Sequence, residues 1–513
     1  MVSLFQQGNG LTFAEVQALR QPSYFGDLNL DAFTAHFRVY DYSVELIPYF
    51  YYTAGRKEHT VYRQELMKDL ADPDVRAAVG RFITGISVAE RYQSCSEMVT
   101  SSVQRSKWRL DTILRFYETL EQFCLELNYS HPKSQALYDV HRYLSDILQK
   151  KEVVELRQKA EEINAEFEKL KFHITINKER ATLDFGYSDE DYCSNIRTEF
   201  AKSEENAGPT FTESPFGDMN ISPLEEFILN QFMKQDRLLF RNLETFCGIN
   251  RQILDPGVQN LVREFRFYLL NLEIFEKMRE RNFPIAFPEI IDTKEICLTD
   301  CYDILLAEKN HEQKKEVILN DIQKAESETA FILTGPNQGG KTTLARALGQ
   351  SVYFAMMGFP VAASTARLPF IDEIFTQFAS ITGDGVEGRL EHELTGAKEI
   401  LGKETGNSLI IFNELFTSAP TVDALEMTRS LLKMLLSHGN YCFVVTHTFE
   451  LSYDSPDYIS LVATVVEDGS YRRTYRIVRK KADGVAYANS IVSKYKLDYD
   501  NIRYRVGKRQ GAL

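Results

Sequence analysis

Gly335, Gly340, Lys341 and Thr342 stand at the spacing G-x-x-x-x-G-K-[ST]. The backbone N–H groups of such a loop cradle phosphates, its lysine reaches the β- and γ-phosphates, and its hydroxyl ligates Mg²⁺. The apolar run Phe331-Ile332-Leu333 leads into the loop and Leu344-Ala345-Arg346-Ala347-Leu348 leaves it. The expected order is therefore strand, glycine loop, helix, with the phosphates at the helix N-terminus. A glycine-rich turn with a solvated lysine is the bland alternative, and both flanks argue against it.

A second stretch, Ser408-Leu409-Ile410-Ile411-Phe412-Asn413-Glu414, reads as a buried strand ending in two polar residues. In ATPases with a loop of this kind, such a strand end places a carboxylate in the Mg²⁺ shell, and in one large class a following Glu polarises the attacking water. Glu414 suits the second role, whereas Asn413 stands where an Asp is expected and keeps an oxygen of similar reach without the charge. Thr421-Val422-Asp423-Ala424-Leu425 then opens a helix, and Tyr441-Cys442-Phe443-Val444-Val445-Thr446-His447 is another buried strand, ending in a histidine placed to contact a γ-phosphate.

The elements that must position these residues belong to a chain of 513 residues, long enough for two or three domains. Hydrophobic content of 44% and charged content of 26% are those of a soluble globular protein. No apolar run is long enough to span a bilayer and Met1 to Gly10 has no signal-peptide pattern, so the expected location is cytoplasmic. Seven cysteines, Cys95, Cys124, Cys193, Cys247, Cys297, Cys301 and Cys442, are scattered without a paired C-x-x-C spacing and read as reduced thiols. Cys297 and Cys301 lack the histidine pair that would complete a metal site and read as structural. The net charge of −14 excludes a chain that coats nucleic acid throughout, so any DNA contact must be local.

Residues 1 to about 130 read as mostly helical, with Thr60 to Leu70 closing at Asp72-Pro73. From Gln135 to Leu170, Leu137, Val140, Leu144, Ile147, Leu148, Val154, Ile163 and Phe167 recur at roughly helical spacing. One helix of that length would be a lever of about 50 Å at about 1.5 Å per residue; the alternative is two helices broken near Gln149 to Glu152. Alternation in Phe172 to Ile176 and Ala181 to Phe185 predicts a β-hairpin near 172–186, and a polar linker follows near 187–223. Gly257 to Arg281 is a second long amphipathic segment. Ile304-Leu305-Leu306-Ala307 and Glu316-Val317-Ile318-Leu319 read as strands leading into the phosphate-loop domain, which places a domain boundary near 290.

These residues together carry a resemblance. Thr334-Gly335-Pro336-Asn337-Gln338-Gly339-Gly340-Lys341-Thr342-Thr343 is similar to the T-G-P-N-x-G-G-K-[ST] loop of the MutS family of ABC-type ATPases. Gly358 to Ala363 resembles its G-x-x-V-P-A segment, Asp372 to Thr376 its D-x-I-F-T-R strand, Asn413-Glu414 with Thr421 to Leu425 its D-E…T-x-x-D-G-L, and Thr446 to Leu451 its T-H-x-x-E-L. Val61 to Glu65 resembles the family's core and lever region more weakly. The resemblance implies ATP and Mg²⁺ as cofactors, with Gly335 to Thr343 around the nucleotide, Lys341 and Thr342 on phosphates and Mg²⁺, Asn413 in the Mg²⁺ shell, Glu414 as general base and His447 as γ-phosphate sensor. It also implies a homodimer, or alternatively a heterodimer, through facing ATPase domains, each nucleotide being shared with a segment of the other subunit.

Three departures accompany it. No counterpart of the family's N-terminal mismatch-reading domain is expected; Gly388 to Glu393 keeps the Gly-Arg of the shared segment without its serine and threonine; and Asn413 with Phe416 to Pro420 replaces an Asp and a glycine-arginine loop. The expected architecture is an α/β P-loop, ABC-type ATPase domain at 291–513 with a short basic tail, after a mainly α-helical core and lever domain at 1–290. The tail, with Arg472, Arg473, Arg476, Arg479, Lys480, Lys481, Arg503, Arg505, Lys508 and Arg509, is either a nucleic-acid surface or a solvated face. The expected function is an ATPase, slow because of Asn413, that binds duplex or branched DNA in mismatch repair or recognition of DNA structures. The alternative is an ATP-gated scaffold or protein-partner switch with little DNA binding.

Overall fold

The computed structural model describes residues 2–8, 10–39, 41–177, 180–184, 223–250, 253–378, 386–466, 473–482, 499, 501–503 and 505. They fall into two compact units, one of Met1–Asp72, Lys133–Ala136 and Arg263–Leu513, the other of Pro73–Pro132 and Leu137–Val262. This grouping does not coincide with a single cut near 290, because residues 1–72 pack with the C-terminal half. The N-terminal portion is helical and the C-terminal portion is α/β with mixed sheets. No helix among the described residues is long and apolar enough to cross a membrane.

The second unit is built from long helices. Pro73–Met98 and Ser102–Ser130 pair along buried faces, with Phe82 stacked on Phe123 at 4.4 Å between ring centroids. The expected lever of one helix from Gln135 to Leu170 is instead two, Gln135–Gln149 and Lys151–Glu168. At Lys150 the backbone turns extended, with ψ 129, and its carbonyl accepts from Val153 and Val154 to restart the helix. The cause is local: Gln149 to Glu152 has no apolar side chain to hold the turn against the core. The hairpin is formed by strands β1 (His173–Asn177) and β2 (Arg180–Asp184), paired antiparallel with Thr175 opposite Thr182. The polar linker lies outside the described residues up to Pro223, which opens the helix Pro223–Gln235.

In the first unit, β3 (Glu289–Ile291), β4 (Ile296–Cys301), β5 (Asn320–Lys324) and β7 (Thr365–Pro369) make a mixed sheet in the order β3-β7-β4-β5. The larger sheet runs β12-β11-β6-β10-β9-β8, with β6 Ala330–Thr334, β8 Ile374–Phe378, β9 Leu409–Asn413, β10 Tyr441–Val445, β11 Tyr458–Val465 and β12 Arg473–Arg479. Every neighbouring pair from β11 to β8 is parallel and β12 closes the edge antiparallel. On one face, Ile332, Ile410, Phe412 and Val444 pack against Leu431, Leu432 and Leu435 of the helix Thr421–Ser437 and against Ile400 of the helix Val386–Lys403.

The helix Lys341–Met356 touches β9 and β10 and is buried almost all round, the pattern of a helix enclosed in a core. Residues near the N-terminus supply part of that enclosure. Tyr353 meets Tyr24 and Phe25 and donates its hydroxyl to Phe50 O at 2.7 Å, while Phe354 packs on Phe33 at 5.0 Å. Two expected strands are corrected. Ile304–Glu312 is a helix, because Asp303 caps it by accepting from the N–H groups of Leu305 and Leu306. Glu316 to Leu319 lies outside regular structure and leads into β5.

Candidate nucleotide-binding site

Five residues of β6 are buried, and the chain then turns at Gly335 with φ +125°. A Cβ there would lie 2.9 Å from Ala463 O on the adjacent β11, so both backbone angle and space demand glycine. Gln338 at φ +58° and Gly340 at φ +92° finish the loop, and Gly340 is the N-cap of the helix Lys341–Met356. The loop thus ends at the positive end of a helix, whose first-turn N–H groups have no partner within the helix. Lys341 is buried and its Nζ donates to Gly335 O at 2.9 Å and to Pro336 O at 3.1 Å, spanning the loop from inside. Burial pulls its ammonium below the usual lysine range, opposed by the nearby carboxylate of Glu414.

Register brings the remaining groups to the same edge. Val445 of β10 is level with Asn413 on one side and with Leu333 on the other, so the carboxyl ends of three parallel strands finish together. In open α/β sheets that edge is where ligands bind. Thr342 Oγ1 donates to Asn413 Oδ1 at 3.4 Å. Glu414 adopts φ +61°, unusual for a residue with a side chain, and its N–H is fixed by Val445 O at 2.9 Å. Its Oε1 lies 3.0 Å from His447 Nε2, and that hydrogen bond is the main reason the carboxyl is held below the usual range against the opposing effect of burial. Glu414 is therefore ionised at neutral pH, the form a base requires.

A cavity of about 890 Å³ opens on this edge. Asn337, Gln338, Gly340, Lys341, Thr342, Thr343 and Glu414 line it from the loop side. Pro336, Gly339, Asn413 and His447 do not line it; the first two belong to the loop and the last two stand behind Thr342 and Glu414. The far wall was not legible in the sequence: Asp303, Val317, Ile318, Asn320 and Tyr475 come from other strands and connections. Tyr475, at φ +57°, stands 3.8 Å from the position a Cβ would take on Gly340, and its carbonyl accepts from Asn320 Nδ2 at 3.1 Å. Gly388 to Glu393 lies on the helix Val386–Lys403 and none of it lines the cavity.

The donor set fits a magnesium polyphosphate. A hydroxyl, an amide oxygen and a carboxylate are hard oxygen donors of the kind Mg²⁺ takes beside phosphates and water, and a buried ammonium faces them. Among the described residues no three His, Cys, Asp or Glu side chains converge on a separate metal site, and Cys297 and Cys301 are free thiols.

Residues 331–494 match the family model MutS domain V. That part of the chain is similar to MutS domain V. It is 33% identical over 173 residues to the DNA mismatch repair protein MutS of Streptococcus pneumoniae serotype 19F (strain G54). The same identity over the same length relates it to the DNA mismatch repair protein HexA of S. pneumoniae serotype 4 (strain ATCC BAA-334 / TIGR4). Each match covers 32% of this chain and 20% of the relative. The matched region begins at the strand before the glycine loop and takes in Glu414, His447 and Tyr475.

Proposed function

We propose that this chain is an ATP-binding ATPase of ABC type that acts on DNA, in mismatch repair or recognition of DNA structures, and works as a dimer through its ATPase domains. The observation that carries the reading is the convergence of Lys341, the Thr342–Asn413 pair and the Glu414–His447 pair on one cavity edge. Residues 291–513 act as the ATPase domain, and the helical residues before them as core and lever. Loop N–H groups and Lys341 hold the β- and γ-phosphates, Thr342 and Asn413 offer oxygens to Mg²⁺, and Tyr475 with Val317 and Ile318 encloses the nucleoside. Bound Mg²⁺ supplies neutralisation of phosphate charge. Glu414 accepts the proton of the attacking water, and His447 keeps that carboxylate ionised and aimed.

Isothermal titration with Mg·ATP tests the binding step. Wild type is expected to bind, Lys341→Ala to lose binding by at least about tenfold, and Glu414→Gln to bind but not turn over. Equal heats for wild type and Lys341→Ala would refute the assignment. The net charge of −14 favours a second reading, an ATP-gated scaffold for a protein partner. A duplex or branched DNA that shifts the protein in an ATP-dependent way separates the two, because the scaffold reading expects no shift at low salt.

A further inference from the structure

Arg63 is fully buried; among the described residues no carboxylate pairs with it directly, and Glu264 acts on its charge only through space. It sits on the helix Lys57–Leu70, and its guanidinium is held by carbonyls and rings instead. Nε donates to Phe5 O at 2.7 Å, Nη1 to Tyr52 O at 2.9 Å and to Met356 O at 3.5 Å, and the group lies over the rings of Phe5 and Tyr52 at 5.0 and 5.2 Å. Nη2 has no partner. Met356 is the last residue of the phosphate-loop helix.

That helix end is otherwise closed by its own chain: Tyr353 O accepts from Met357 N, Ala355 O from Gly358 N and Phe354 O from Phe359 N. The carbonyl of Met356 is the one that turns to Arg63. Approach is close, since a Cβ on Gly358, at φ +76°, would lie 2.4 Å from Arg63 Cβ and 2.7 Å from Gln64 N. A full positive charge therefore sits at the carboxyl end of a helix whose amino end forms the loop, where it complements the negative end of the helix dipole. The neighbours of Arg63 anchor other segments: Tyr62 Oη donates to Ser3 O at 3.1 Å and Gln64 Nε2 to Pro288 O at 2.6 Å. The helix Lys57–Leu70 is thus fixed to the frame on both sides of Arg63, and Arg63 itself bonds the last residue of the phosphate-loop helix.

We infer that Arg63 is a positioning residue for the phosphate loop: it sets the stand of the helix Lys341–Met356 and links occupancy of the loop to the helix Lys57–Leu70. A small axial shift of the phosphate-loop helix changes the Met356 contact, and the spare Nη2–H gives the guanidinium a second way to bond that last turn. The inference rests on the nucleotide reading of the loop. By linkage, whatever the nucleotide does to the helix Lys57–Leu70, a change at Arg63 does in return to nucleotide affinity.

Hydrogen–deuterium exchange on the full chain, with and without Mg·ATP, tests it together with titration of ATP. In wild type, ATP is expected to slow exchange both at 335–345 and at 57–70. In Arg63→Met, which fills the space without the charge, protection at 335–345 remains, protection at 57–70 is lost and ATP binds about fivefold or more weakly. Gln64→Leu removes a neighbouring anchor and is expected to leave ATP affinity unchanged, which general loosening of the frame would not do. Wild type protected at 335–345 but unchanged at 57–70 overturns the inference, whether or not Arg63→Met folds, as does an Arg63→Met protein that keeps both. No protection at 335–345 in wild type overturns the nucleotide reading, and this inference with it.

Discussion

On the proposed reading, Asn413 is the residue that separates holding a nucleotide from hydrolysing it. Its Oδ1 accepts from Thr342 Oγ1 at 3.4 Å, a long contact, and an amide oxygen carries less charge toward a cation than a carboxylate. Asn413→Asp restores that charge. Steady-state phosphate release is expected to rise about tenfold in Asn413→Asp, at lower Mg²⁺, and to fall by about 10² or more in Glu414→Ala, which removes the base. Equal rates in all three proteins would remove both assignments. The residues on this side of the cavity were legible in the sequence because they sit at fixed offsets in two strand-end motifs. Tyr475 and Val317 were not, because each reaches the cavity from its own segment and carries no local pattern that points to a phosphate.

Short elements were where sequence and structure parted. Ile304 to Ala307 is an apolar run too short to tell strand from helix by periodicity, and the deciding signal was the residue before it. Asp303 caps that helix and also accepts from Gln350 Nε2 at 3.1 Å, so the phosphate-loop helix and the cavity wall share one carboxylate. The same helix Ile304–Glu312 is tied to the N-terminal region by His36 Nε2 and Glu308 Oε2 at 2.9 Å. The bond to Glu308 is the main cause that raises the His36 pKa above its ordinary 6.5, and the bond to His36 is the main cause that lowers the Glu308 pKa below its ordinary 4.5. A raised histidine stabilises fully below about pH 6.5 and loses that contribution as pH rises through its folded value; a lowered glutamate stabilises above about 4.5 and loses it as pH falls. Both contributions are present between those limits. His36→Gln should therefore lower Tm most near pH 5.5 to 6, by an amount equivalent to less than about 1 kcal/mol because the pair is partly exposed, and the difference should fade as pH rises through the raised His36 value. Thermal melts of both proteins across that range check the sign; a gap that widens with pH would refute it.

On the scale of the whole molecule, the sequence places a boundary where composition and motifs change, whereas packing follows where aromatic side chains find partners. Phe5, Tyr24, Phe25, Phe33 and Phe50 have no periodic spacing, yet they join residues 1–72 to the phosphate-loop helix and its neighbours. The charge distribution bears on partners. The overall charge is −14, and the segment 185–222 carries Asp189, Glu190, Asp191, Glu199, Glu204, Glu205, Glu213 and Asp218 against Arg197 and Lys202. Phosphate contacts from that stretch are disfavoured. The described cations of β12 and beyond are partly engaged: Arg479 pairs with Glu328, and Arg473 donates to Gln338 Oε1 at 2.9 Å. Each phosphate neutralised contributes about 0.9 to the slope of log K against log salt. On the proposed reading, DNA binding is expected to depend on ATP through dimer closure more than through added charge contacts, and the measured slope divided by about 0.9 gives the number of phosphates contacted. Fluorescence anisotropy of homoduplex, mismatched and branched DNA from low to physiological salt, with and without Mg·ATP, measures the slope, and sedimentation under the same conditions measures the dimer. A steep slope unaffected by ATP would mean that a basic surface, not the ATPase cycle, governs the contact with DNA.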